Sequence, residues 1–301
     1  LGGQLSRCPL TGSPGAAKRN RTGAELADAY RRFGFELPTE LRTQYFAHNF
    51  TEYVAHDTGL RWYDPPIAAG PEFYEFLSRK LPWYYSTDRW DQRTALECLK
   101  AAHVRRVFEV GCGAGDFLRM ANAAGFDAIG SEINPAAMGA ARRAGLVVHA
   151  ASTLPVELRA DALVALQLLE HVPCPMAFLR TLVERLQPRS VIIAVPCAET
   201  LLGRLSDPLA WPPHHLTLWT RAALVALGRG IGAREASFAF EPLAWPHFFM
   251  ACQQEPRGRL GWLPAANQPR RLRLAFLLGR LLRRQWATRG HTLIGNYKLS
   301  E

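Results

Sequence analysis

None of the six cysteines (Cys8, Cys98, Cys112, Cys174, Cys197 and Cys252) stands at CxxC spacing from another. The 301-residue chain therefore spells out neither a zinc knuckle nor a small secreted domain's disulfide framework. Scattered thiols point to a reducing, cytoplasmic setting. No stretch approaches the roughly 18 uninterrupted apolar residues of a membrane span. The first residues, Leu1-Gly-Gly-Gln-Leu-Ser-Arg7, lack an apolar segment behind a basic one. Internal repeats of about 20 to 50 residues are missing, which excludes solenoids and propellers. Acids are outnumbered: 26 Asp and Glu against 36 Lys and Arg give a net charge of +10, a balance that admits an acidic partner but fixes no fold. What remains is globular in composition, 48% hydrophobic and 21% charged, and long enough for one main domain with an appendage.

Residues 1–88 form an aromatic-rich, Pro-punctuated front region, crowded with residues such as Trp62, Tyr63, Tyr74, Trp83, Tyr84 and Tyr85. Residues 89–301 read as the main domain. Asp91 to Ala102 has apolar residues at helical spacing, and the apolar run Val104 to Val110 stops at a glycine cluster, as a buried strand does at a tight turn. From there strands and helices alternate: Phe117 to Ala124 helical, Ala128 to Glu132 extended, Pro135 to Ala144 helical, Val147 to Ala150 and Leu163 to Leu168 extended. Met176 to Leu186 is a further helix and Ser190 to Val195 a further strand. That rhythm implies parallel βαβ units with right-handed crossovers, an α/β fold with a doubly wound sheet. Later, Arg234 to Ala244 and Thr292 to Leu299 read as strands around a helical insertion, 245–290. The insertion holds an arginine-rich amphipathic helix, 269–286; if its arginine face is simply solvated, the stripe of Leu274, Leu277, Leu278 and Leu281 faces the core.

The sharpest chemical signal is Glu109-Val-Gly-Cys-Gly-Ala-Gly115. Glycines at 111, 113 and 115 let the backbone turn sharply and approach a ligand, while the next helix presents unpaired N–H groups to it. The dinucleotide fingerprint wants its third glycine three positions after the second, where Asp116 stands instead. Glu132 closes the following strand about twenty residues on, where an acid can accept hydrogen bonds from both ribose hydroxyls. A nucleoside with a free ribose is implied.

At these residues the chain resembles the class I S-adenosylmethionine-dependent methyltransferases. Glu109 to Gly115 looks like their first motif, Gly130-Ser-Glu132 like their ribose-binding acid, and Leu168-Leu-Glu-His-Val-Pro-Cys-Pro175 like their "LEHVxxP" segment. Pro212-Pro-His-His-Leu-Thr-Leu-Trp219 is similar to a histidine segment after the fifth strand of small-molecule members. The resemblance implies a Rossmann-like seven-stranded sheet with an antiparallel last strand and S-adenosylmethionine as co-substrate. It places Glu109, Gly111, Cys112, Gly113 and Gly115 under the cofactor, and Glu132, Ile133 and Asn134 at its ribose. Ala151 and Ser152 then flank adenine, and Gln167 and Leu168 are further cofactor-binding residues. Cys8-Pro-Leu-Thr11 and Ala55-His-Asp-Thr58 faintly resemble the ligand turns of a zinc ribbon that precedes some of these enzymes. Three of the four ligand positions are not cysteine, so a ribbon outline without metal is expected.

Methyl transfer from a sulfonium is an in-line displacement that mainly needs positioning and exclusion of water. Tyr84 and Tyr85 either close over the sulfonium or pack in a core. His171, His214 and His215, after the fourth and fifth strands, are the candidate bases for an O-, N- or C-acceptor, with a structural role as their alternative. The expected reaction is methylation of a small metabolite, as in secondary metabolism, with no metal. One alternative is cleavage of another carbon–sulfur bond, by aminocarboxypropyl transfer or cyclisation to azetidine-2-carboxylate, leaving methylthioadenosine. Another is a non-catalytic binding module. The arginine-rich helix is a solvated face, a docking face for an acidic carrier or anionic substrate, or a phosphate-binding surface. Nucleic acid is disfavoured, because Leu169-Glu-His-Val172 stands where amino-methylating nucleic-acid enzymes carry Asn or Asp before Pro-Pro-aromatic.

Overall fold

The computed structural model describes residues 6–81, 84, 88–204, 207–254 and 268–299. In chain order the front region contributes β1 (Gly15–Arg21), α1 (Gly23–Arg32), α2 (Thr39–Tyr45), β2 (Phe50–Ala55), β3 (Arg61–Asp64) and α3 (Pro71–Lys80). There follow α4 (Trp90–Ala102), β4 (Arg106–Val110), α5 (Asp116–Ala123), β5 (Asp127–Glu132), α6 (Pro135–Arg143), β6 (Val148–Ala150), β7 (Ala162–Leu166), α7 (Pro175–Leu186) and β8 (Ser190–Pro196). The chain closes with β9 (Thr217–Leu218), α8 (Arg221–Gly230), β10 (Glu235–Pro242), α9 (Trp245–Gln254), α10 (Pro269–Leu281), α11 (Gln285–Thr288) and β11 (Arg289–Lys298).

Seven strands form one sheet in the order β10-β11-β8-β7-β4-β5-β6, with β11 antiparallel to both neighbours and the pairs from β8 to β6 parallel. The sheet is the doubly wound, Rossmann-like arrangement expected from the alternating pattern. Both its faces are covered, because successive side chains of a strand point to opposite sides. In β8, Val191, Ile193 and Val195 pack with α7 and α8, whereas Ile192 and Ala194 pack with α4, α5 and α6. The final strand begins at Arg289, three residues before the expected Thr292.

A second, antiparallel sheet runs β1-β2-β3-β9. Its last strand comes from the far side of the sequence, and Leu209 and Leu218 share an apolar cluster with α1, α2 and α3. The front region is thus built into the main domain through the segment 207–219. Two similar turns meet in it: Gly12 N–H donates to the Cys8 carbonyl and Gly59 N–H to that of Ala55, both at 2.8 Å. Between them Ser13 donates to Asp57 at 3.2 Å, and Cys8, Leu10, Ala55 and Leu60 lie in the apolar core.

The insertion corrects one expectation. The buried face of α10 is Leu272, Phe276 and Gly279, packed against Phe248 and Trp286; Leu274, Leu277, Leu278 and Leu281 point outward. Both faces of this helix are apolar, so periodicity alone cannot tell which meets the core.

Candidate active site

The turn after β4 is where the glycines act. Gly111, Gly113 and Gly115 have φ of 73°, 54° and 83°, a region that side chains disfavour. A Cβ at Gly111 would lie 2.8 Å from Leu168, and one at Gly115 would lie 2.3 Å from Leu146. The turn is tied to the neighbouring strand, since the N–H groups of Gly111 and Cys112 donate to the Ser131 carbonyl at 2.8 and 3.0 Å. The Cys112 side chain turns into the core against Gly130, where burial pushes its thiol up, so the turn's ligand-facing atoms at this residue are backbone.

Glu132, the last residue of β5, is held by three backbone donors. Its Oε2 accepts from Gly113, and its Oε1 from Ile133 and Asn134, each at 2.8 Å. These charge-assisted bonds fix the carboxylate while Oε2 retains a lone pair for a ligand hydroxyl. Beside it Ile133 is 49% exposed, an apolar shelf next to the acid. Asn134 is buried and caps α6, its side chain accepting from Ala136 N–H at 3.0 Å. Ala151 and Ser152 form an exposed turn beyond β6.

Beneath the glycines sits Glu109, fully buried, with Oε2 unpartnered. Burial pushes its carboxyl up to about 8, against the pull of Arg89. Arg89, at the start of α4, grips Asp91 through Nε and Nη2 at 3.0 and 3.2 Å, and Gln167 donates to the same Asp91 at 3.3 Å. The sequence reading gives Arg89 and Asp91 no role. Their signal was an Arg-x-Asp pair opening the helix before the glycine strand.

The three candidate histidines converge. Ring centroids of His171, His214 and His215 lie 4.6 to 4.8 Å apart, with the last two stacked. His171 follows β7; the other two come from the segment that leads into β9. Carbonyl partners set two tautomers: His171 Nδ1–H donates to the His214 carbonyl at 2.5 Å, and His214 Nδ1–H to that of Leu209 at 2.7 Å. Each therefore keeps its lone pair on Nε2, and Tyr84 donates its hydroxyl to that of His214 at 2.8 Å. Burial lowers all three, His171 to about 4, so the imidazoles are neutral at pH 7. Tyr74 of α3 packs edge-on against His171 at 5.7 Å. Tyr85 lies outside the described residues. Glu170 is buried with both oxygens unpartnered, its Oε1 3.8 Å from His171 Nε2, and burial pushes it up to about 8. The ligand atoms of the three histidines lie within 4.8 Å of one another, a set that can also hold a metal ion.

A glycine turn and a backbone-held carboxylate at the carboxyl edge of this seven-stranded sheet are the arrangement of a class I S-adenosylmethionine-dependent methyltransferase. The family model described as a methyltransferase domain matches residues 82–234, half of the chain, and the chain belongs to that family. No curated protein matches. Among solved structures, the methyltransferase in complex with the Trm112 activator from Haloferax volcanii is similar, with a TM-score of 0.51 and 16% identity over 76% of this chain and 96% of that one. A S-adenosylmethionine-dependent methyltransferase from Archaeoglobus fulgidus gives a TM-score of 0.48 and 17% identity over 69% of this chain and 94% of that one.

Proposed function

We propose that the chain methylates a small-molecule acceptor, a metabolite free or carrier-bound, with His171 as its general base. The glycine turn would hold the cofactor's backbone-facing side, Glu132 its ribose, Ile133 with the turn at Ala151 and Ser152 its adenine, and Arg89 its carboxylate, and the bound sulfonium would supply the methyl group. The acceptor sits over the histidine cluster, its lone pair forming the new bond to carbon as the methyl–sulfur bond breaks and the sulfonium becomes a neutral thioether. The acceptor's proton passes to Nε2 of His171, whose orientation is fixed by the His214 carbonyl; Tyr84, held by His214, fills the wall of the methyl path. The observation that carries this reading is the convergence of two oriented, neutral imidazoles, with His171 bonded through its N–H to the carbonyl of Leu168, the residue packed against Gly111 of the glycine turn. The six free thiols support a reducing, cytoplasmic setting, and the paired turns at Cys8 and Ala55 support the metal-free ribbon outline.

The test is product identity followed by His171→Ala. Incubation with the cofactor and a panel of small acceptors should release S-adenosylhomocysteine, and the variant should lose about 100-fold or more in kcat with little change in cofactor affinity. Methylthioadenosine released without an acceptor sinks methyl transfer. An unchanged kcat in the variant removes the base. A second reading of the same cluster is favoured by Glu170: two unpartnered buried oxygens beside three convergent imidazoles suit a divalent cation, which would orient an acceptor through its oxygens. Stoichiometric metal in the purified protein, with activity lost to a chelator and restored by the ion, selects it.

A further inference from the structure

Among the described residues, the outer face of α10, with its end, carries half of the strongly exposed large apolar side chains. Of the ten strongly exposed large apolar residues among those described, five are consecutive leucines of one face and its end: Leu274, Leu277, Leu278, Leu281 and Leu282, at 59, 54, 48, 77 and 64% exposure. They stand opposite Leu272, Phe276 and Gly279, which are anchored in a local core with Trp245, Phe248 and Trp286. The anchoring fixes which side faces out, because at about 100° per residue the leucines cannot turn inward without exposing Phe276.

Charge accompanies the leucines. Arg270, Arg271, Arg273, Arg280, Arg283 and Arg284 are all exposed, and none enters an ion pair among the described residues. No Asp or Glu occurs from Gln268 to Lys298. A solvated face would not hold five leucines, and a polyphosphate chain offers them no apolar phase. An anionic bilayer meets both demands, with acyl chains for leucine and headgroup phosphates for arginine. We infer that α10 is an interfacial anchor that seats the protein on anionic membranes without crossing them. The helix has its own small core with Leu201 and Leu202, on the loop after β8, so it is mounted at the sheet edge that carries the histidine cluster. This inference is independent of the acceptor and of the base.

Cosedimentation of the full chain with phosphatidylcholine vesicles, with and without phosphatidylglycerol, tests it. Binding should need the anionic lipid, fall with salt, and fall about tenfold or more in Leu277→Ser/Leu281→Ser. Arg280→Gln/Arg284→Gln, which leaves the leucines in place, should weaken binding by about tenfold or more as well, given about 1 kcal/mol per arginine near the surface. Circular dichroism and S-adenosylhomocysteine binding confirm that both variants are folded. Failure to sediment with anionic vesicles overturns the inference, as does binding that the leucine pair does not affect. Tighter binding to duplex or single-stranded oligonucleotide, equally indifferent to the leucines, assigns the arginines to phosphate recognition instead and overturns it too.

Discussion

Glu132 accepts from three backbone donors, and through Gly113 it is coupled to the glycine turn, so on the proposed reading its loss should disturb both the turn and the ribose contact. Glu132→Ala is expected to weaken S-adenosylhomocysteine binding by about 10- to 100-fold in calorimetry, given that hydrogen bonds to charged groups contribute about 1.5–3 kcal/mol. Glu132→Gln, which retains one carbonyl acceptor, should fall between. Glu109 carries a pH signature. Its carboxyl moves from the ordinary 4.5 to about 8, so between those values the folded protein holds a proton that the unfolded chain releases. Stability therefore falls as pH rises through that window. Glu109→Gln should flatten that decline in the urea midpoint; an unchanged slope would show that Glu109 is ionised in the fold. The depressed histidines act oppositely, since between about 4 and 6.5 the unfolded chain binds the extra proton at His171, and stability falls as pH drops.

At the scale of elements, the glycine turn and its strand were legible because their determinants are local. Positive φ at Gly111, Gly113 and Gly115, the strand before and the acid at Glu132 all lie within one βαβ unit. Gly115→Ala tests the turn: a left-handed φ of 83° and a Cβ 2.3 Å from Leu146 should cost about 1–3 kcal/mol in chemical unfolding. The histidine cluster was legible only as three separate candidates. His171 and His214 are 43 residues apart and Tyr84 and His214 130, and nothing in their local sequence encodes that they meet. Arg89 and Asp91 escaped for a related reason, since a surface-like pair at a helix start becomes a buried one only when Gln167 and Glu109 close over it. The leucines of α10 were assigned to the wrong side because Leu272 and Phe276 compete with them for the core, and only α9 and Trp286 decide between the faces.

At the scale of the whole molecule, contacts cross the expected boundary at 88. Tyr63 N–H donates to the Leu216 carbonyl and Ala69 N–H to that of Pro213, while Arg21 stacks on Trp211 at 3.8 Å. On its other side the same segment reaches the loop after β7, where Leu216 N–H donates to the Glu170 carbonyl at 2.7 Å. Calorimetry should accordingly show a single unfolding transition in which front and main regions melt together; two resolved transitions would contradict the shared sheet. The alternation of strands and helices foretold the large sheet, whereas a two-residue strand such as β9 leaves no periodic trace.

That short strand has a further effect. Leu218 is stitched to Arg61, and Arg61 in turn is clamped at 3.1 Å by the nearly inaccessible Glu52. Only Leu216 stands between His215 and this seam of Thr217 and Leu218, so the front hairpin is coupled through it to the imidazoles. The front hairpin thus braces the strand into which His214 and His215 lead, so Glu52→Ala, which touches neither ring, should still loosen their stacking.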